Sequence, residues 1–223
     1  MTMLNGMKKS VPHEPPKRSV LEEVGNAVTH GTGALLGIAG LVLLLARSRS
    51  GIEICASLIY GISLIIMFLM SCLYHSFKWG TKVKRLWRRF DYISIYLLIG
   101  GTFSPLWLLY WKGNEGVVFC IIEWGLILAG IALIAVFGTG KALKIHMSLY
   151  VALGWCGIVF MPKMIREDLP LFFYILTGGL LYTLGIIPFA AKKKGSHFIW
   201  HIFVLFGAVV HWFGIYLFLY APG

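Results

Sequence analysis

The chain has 223 residues, of which 58% are hydrophobic and 13% charged, and its mean hydropathy is strongly positive. An ordinary soluble domain has no use for so much apolar surface, so the composition marks an integral membrane protein. The formal charge of +11 is read as loop topology and attraction to anionic lipid, and no nucleic acid is expected as a partner.

Residues 1–22 are polar and hold Pro12, Pro15 and Pro16. They lack the apolar region and small-residue cleavage site of a signal peptide, so they are expected to stay as a polar tail, with His13 solvated in it. Residues 23–223 are expected to form one all-α domain, a seven-transmembrane helical bundle. Its apolar runs fall at 27–46, 54–77, 92–111, 117–137, 145–161, 171–191 and 198–220. Most approach the roughly 20 residues that an apolar core of about 30 Å demands, the fifth being the shortest. The short connections leave no room for a soluble domain. Gly33, Gly37 and Gly40 in the first run have small-xxx-small spacing, which lets helix backbones approach closely. Cys55, Cys72, Cys120 and Cys156 lie inside apolar runs without a Cys-x-x-Cys pair, which argues against a disulfide framework or a thiolate metal site.

Lys and Arg divide unevenly between alternate sides of these spans. One side holds fifteen, in the tail, the 78–89 loop and the segments around Lys141 and Lys193. The other holds five: Arg47, Arg49, Lys112, Lys163 and Arg166. The positive-inside rule therefore puts the N-terminus in the cytoplasm and, after seven spans, the C-terminus outside.

With that topology, four helices bring polar residues to one cytoplasmic-side layer. At the start of the first span Glu23, Asn26 and His30 share a face within about 60°, while Thr29 points elsewhere and can bond back to its own helix. The second span runs inward and carries His75 near its end, with Ser71 one turn deeper on the same face. Asp91 opens the third span at the same level. The last span begins with His197 and His201 one turn apart, and His211 lies roughly 15 Å further along the axis. Ionisable groups inside a membrane are costly and default to a functional reading.

Three imidazoles with a carboxylate nearby suit zinc, and three protein ligands plus water is the catalytic form of a zinc site. His75, His197 and His201, at one depth, are the expected ligands; His211 is too deep. No Glu follows His197, as it would in a His-Glu-x-x-His metalloprotease, so a base must come from another helix, and Asp91 is the expected supplier. Ser71 would hydrogen-bond the water or a substrate carbonyl. Each residue has a plainer reading. The histidines can bond between helices, Asp91 can pair with Arg88 or Arg89 at a helix start, and Glu23 can be an interfacial acid. His146 and Glu123 each stand alone near a helix end and are read as structural.

The set Glu23-x-x-Asn26-x-x-Thr29-His30, Ser71-x-x-x-His75, Asp91 and His197-x-x-x-His201 with His211 resembles that of the progestin and adipoQ receptor family. The short tail and loops resemble its bacterial hemolysin III branch. The resemblance spans Glu23 to His211. It implies a seven-helix fold with a cytoplasmic N-terminus, a zinc held at His75, His197 and His201, and an aspartate, Asp91, close to the metal's water. Relatives in the wider superfamily are linked to hydrolysis of lipid amides. The long N-terminal region of the animal receptors is absent, which weighs against receptor-style signalling.

The leading expectation is thus a zinc-dependent membrane hydrolase acting on a lipid amide or ester at the cytoplasmic leaflet, with membrane lipids, anionic ones included, as partners. The alternatives are a membrane-lytic or pore-forming hemolysin, or a receptor or regulator of membrane state with a structural zinc. A pore within one chain is disfavoured, because the outer halves of the helices are almost wholly apolar.

Overall fold

The computed structural model describes residues 14–141, 143–191 and 193–220. Lys8, Lys9, His13, Lys192 and Gly223, which entered the expectations above, lie outside the described residues, as does the side chain of Lys141. All regular structure among the described residues is helical.

Helix α1 (Val20–Arg47) starts at Ser19, whose hydroxyl accepts the Glu22 N–H. Helix α2 (Gly51–Ser76) opens on a reciprocal box in which Ser50 and Glu53 each satisfy the other's backbone donor. Helix α3 (Lys82–Pro105) is capped by Thr81 at the Lys84 N–H and continues, past Pro105, as a π-helical stretch, Leu106–Trp111. Helix α4 (Gly113–Lys141) is interrupted at Gly138, whose φ of 71° and ψ of 177° are open only to glycine. Helices α7 (Leu169–Ala191) and α8 (Ser196–Phe218) are joined by a turn in which Gly195 takes a left-handed φ of 79°.

Among the described residues, six helices are long and apolar enough to cross a membrane. A further span, the fifth in chain order, is a bent pair of helices. Helix α5 (Leu143–Gly154) gives way to a 3₁₀ turn at Cys156–Val159 and then to α6 (Met161–Glu167), bent by 40°. The single helix expected over 145–161 is therefore corrected: Gly154, Gly157 and Pro162 concentrate the helix-weakening residues at that point. Two other starts also move. Helix α1 begins at Val20 and α3 at Lys82, because the polar first turns are good helix formers with Ser and Thr caps. Asp91 accordingly sits in the third turn of α3 instead of opening it.

In space, α1 packs on α2 and α8, α2 on α3, and α7 on α8, while α4 and α5 lie against α3. The first helix's glycines serve these seams. A Cβ on Gly33 would lie 2.5 Å from the Phe68 ring, one on Gly37 would meet Ile65, and one on Gly40 would meet Trp212. Large apolar side chains such as Leu35, Ile121, Val136, Ile187 and Phe206 point outward. That is the surface a lipid-embedded bundle presents.

Candidate metal centre

The last two turns of α2 and the first two of α8 come together beneath the start of α1. His75 Nδ1 stands 2.6 Å from Glu23 Oε2, and the Asn26 amide nitrogen lies 3.3 Å from the same Nδ1. A carboxylate only accepts, so His75 donates from Nδ1 and its Nε2 keeps the lone pair. That Nε2 is buried and has no hydrogen-bond partner among the described residues. The other oxygen of Glu23 lies 2.9 Å from Lys84 Nζ, an ammonium whose side chain is only 1% exposed. Glu23 thus neutralises a buried lysine and orients a buried histidine with one carboxylate.

His201 and His197 face each other with their Nε2 atoms 3.2 Å apart, and both rings pack against His75, at 4.7 and 5.3 Å between centroids. One nitrogen from each of His75, His197 and His201 falls within 4.8 Å of the others. Two nitrogens bound to one tetrahedral zinc stand roughly 3.4 Å apart at Zn–N distances of about 2.0–2.1 Å. The three histidines fit such an ion in number, in donor type and nearly in spacing. Their fit is sharpened by Glu23, since metal-ligating histidines regularly donate their other ring N–H to a carboxylate. His30 stacks on His201 with centroids 3.7 Å apart and meets Phe68 edge-on, so it lies beside the cluster and outside the three.

A cavity of about 750 Å³ opens against this cluster. His30, His197 and His201 form part of its wall, as do Ser71 and Asp91, whose carboxylate accepts from the Ser71 hydroxyl. Deeper, the lining turns apolar, with Leu98, Phe103, Met147 and Val204. His211 reaches this far end, where its Nε2 donates to the Ile175 carbonyl at 3.0 Å. It stays apart from the three clustered histidines, as its depth suggests. Thr29 bonds back to the Gly25 carbonyl at 2.6 Å.

Two residues read as solitary have partners. Glu123 lies within α4, where Trp107 donates to one carboxylate oxygen and Cys156 to the other, and His146 Nδ1 lies 3.1 Å from the Tyr96 hydroxyl. Both partnerships cross between helices, which no spacing along one helix reveals. Two residues that sequence reasoning counted only as loop charges belong to the site. Lys84 is one, and its signal was available: it precedes Asp91 by seven residues, two helical turns on the same face. Arg18, which lines the cavity, carries no comparable signal.

The family profile described as Haemolysin-III related matches residues 18–212. The chain belongs to the haemolysin III-related family. Hemolysin-3 of Bacillus cereus is 36% identical over 200 residues, covering 87% of this chain and 90% of that protein. The human monocyte to macrophage differentiation factor is 26% identical over 235 residues, covering 99% and 96%. The adiponectin receptor protein of Drosophila melanogaster is 24% identical over 244 residues, covering 91% of this chain and 54% of the receptor. This spread agrees with the hemolysin III branch of the progestin and adipoQ receptor family. With six long apolar helices and one broken pair, it makes the chain a multi-pass protein of the cell membrane.

Proposed function

We propose that this haemolysin III-related protein is a zinc-dependent hydrolase that cleaves a lipid amide or ester from the cytoplasmic leaflet. The observation that carries the reading is a three-histidine cluster, two of whose members (His197 and His201) line a cavity together with an aspartate–serine pair, while the far end of that cavity is apolar. His75, His197 and His201 would hold the ion, with Glu23 fixing the His75 tautomer and Asn26 and His30 supporting the cluster. Zinc, when bound, would polarise a carbonyl and acidify water at that point. Asp91 is the group that accepts the proton, and Ser71 holds its carboxylate in place by the hydrogen bond it donates. The apolar lining accepts acyl chain and keeps bulk water from the reacting carbonyl.

The test is metal and turnover on one preparation. Protein purified without a polyhistidine tag is expected to carry about one zinc per chain and to hydrolyse some member of a lipid amide and ester panel. Zinc-loaded protein that cleaves none of them would shift the zinc to a structural role. A metal-free, well-folded preparation would make the histidines hydrogen bonders.

The name of the Bacillus relatives supports a second reading, membrane lysis. Lysis of erythrocytes by the purified protein, undiminished in a zinc-stripped sample, would favour it.

The orientation belongs to the same proposal: the tail of residues 1–22 in the cytoplasm, the domain of residues 23–223 in the membrane, Gly223 outside. It rests on the fifteen-to-five division of Lys and Arg. Lys82→Cys, in a background lacking the native thiols, is expected to react with a membrane-impermeant maleimide only after the cytoplasmic face is opened. Labelling from outside intact cells would invert the topology.

A further inference from the structure

The cavity has a mouth as well as a far end. Its charged lining comprises Lys17, Arg18, Arg88, Lys193 and Lys194 against Glu22 and Asp91, so cations outnumber carboxylates. Arg18 is held there by the segment before α1. Glu14 pairs with Arg85 at 2.9 Å, the Trp79 indole N–H donates to the Pro15 carbonyl at 2.9 Å, and Lys17 lies over the Trp79 ring. These anchors tie the segment to the start of α3 and the turn before it.

From that position the Arg18 side chain turns inward and is only 13% exposed. The guanidinium hydrogen-bonds the Tyr74 hydroxyl and its Nε lies 4.0 Å from Glu22 Oε1, a loose contact, while its Nη1 is buried without a hydrogen-bond partner among the described residues. The guanidinium is close enough to act electrostatically on Tyr74, His75, Asp91 and His197. A buried guanidinium donor left unmade is expensive unless a ligand fills it. Across the mouth, α8 begins at Ser196 behind Gly195, with no side-chain cap, so the positive end of its dipole lies at the same cavity wall as Arg18, Lys193 and Lys194.

We propose that Arg18, with Lys193, Lys194 and the first turn of α8, seats a phosphate-bearing headgroup, so that the lipid entering the cavity is a phospholipid with an exposed anionic phosphate. This rests on the reading that the cavity takes lipid, and it adds the headgroup class. Guanidinium is suited to a phosphate because it offers paired donors in one plane. Arg18 is a binding residue here, and no bond-making step passes through it.

The experiment is equilibrium binding, measured without turnover, on the full chain in non-ionic detergent. The probes are radiolabelled lysophosphatidate, lysophosphatidylcholine of the same chain length, and inorganic phosphate as competitor. Wild type is expected to prefer lysophosphatidate by about 10–100-fold, the range of one or two charge-assisted hydrogen bonds. Arg18→Gln is expected to cut that preference to a few-fold while lysophosphatidylcholine still binds, which also shows that the variant is folded. Arg18→Lys is expected to fall between the two. The exposed Lys193→Gln, Lys194→Gln pair, remote from the fold's core, is expected to cost a further factor of about 5 per charge. No preference in wild type, or an undiminished preference in both Arg18→Gln and the double lysine variant, overturns the proposal. Inorganic phosphate competing as well as lysophosphatidate would assign the seat to a free anion and overturn its lipid part. A clear preference without any hydrolysis would leave the seat standing and remove only the hydrolase reading.

Discussion

Replacing His201 with alanine is expected to abolish stoichiometric zinc and to lower the melting temperature to that of zinc-stripped wild type. His201 is 2% exposed, its Nε2 faces His197, and its ring is sandwiched against His30. Among the described residues no other imidazole stands ready to replace it: His30 is packed edge-on against Phe68, His146 is partnered with Tyr96, and His211 is committed to the Ile175 carbonyl. Two histidines would remain, one short of the three protein ligands in a catalytic zinc site. Structural zinc in small domains is worth about 10–16 kcal/mol of apparent binding free energy, and that free energy is coupled to folding. Losing even part of it lowers stability measurably. Zinc content by elemental analysis and melting in detergent, with and without chelator, decide the matter. A His201→Ala protein that keeps one zinc per chain would remove His201 from the ligand set.

Asp91→Asn is expected to leave zinc in place and to lower lipid turnover by about 10²–10⁴-fold, the contribution of a lost general base. Asparagine preserves the size of the side chain and can still accept from the Ser71 hydroxyl, so the wall of the cavity keeps its shape. What disappears is the carboxylate's basicity. Weakening of zinc affinity should stay within about 10–100-fold, the range for groups that act on a metal through its surroundings. Both quantities must be read on the same purified sample, because a zinc-free variant would be inactive for a different reason. Equal turnover in wild type and variant, with zinc retained in both, would exclude Asp91 as the base.

The spans were legible because hydropathy is a property of each segment by itself. So was the level at which histidines, Asp91 and Ser71 gather, since span direction and residue position fix depth. What touches what was less legible. Lys84 was counted with solvated loop charges, yet it is buried against Glu23, because α3 begins ten residues before its apolar stretch. Arg18 was placed in a tail, yet contacts between that segment and Trp79 and Arg85 turn it into the cavity. Glu123 looked alone until Trp107 and Cys156 met it from other segments. The broken fifth span was hidden for the opposite reason: its residues stay apolar through the bend, and hydropathy does not register a 40° change of direction.

The origin of the three clustered histidines constrains the biosynthesis of the protein. One imidazole comes from α2, and the other two come from α8, which is synthesised more than a hundred residues later. A nascent chain halted anywhere before Ser196 holds His75 alone, already oriented by Glu23 but with no second ligand to share an ion. On the zinc reading proposed above, metal capture would wait until α8 has joined α2 in the membrane. Until then a lone, Glu23-oriented imidazole stands at that level, and a three-ligand site would not yet exist.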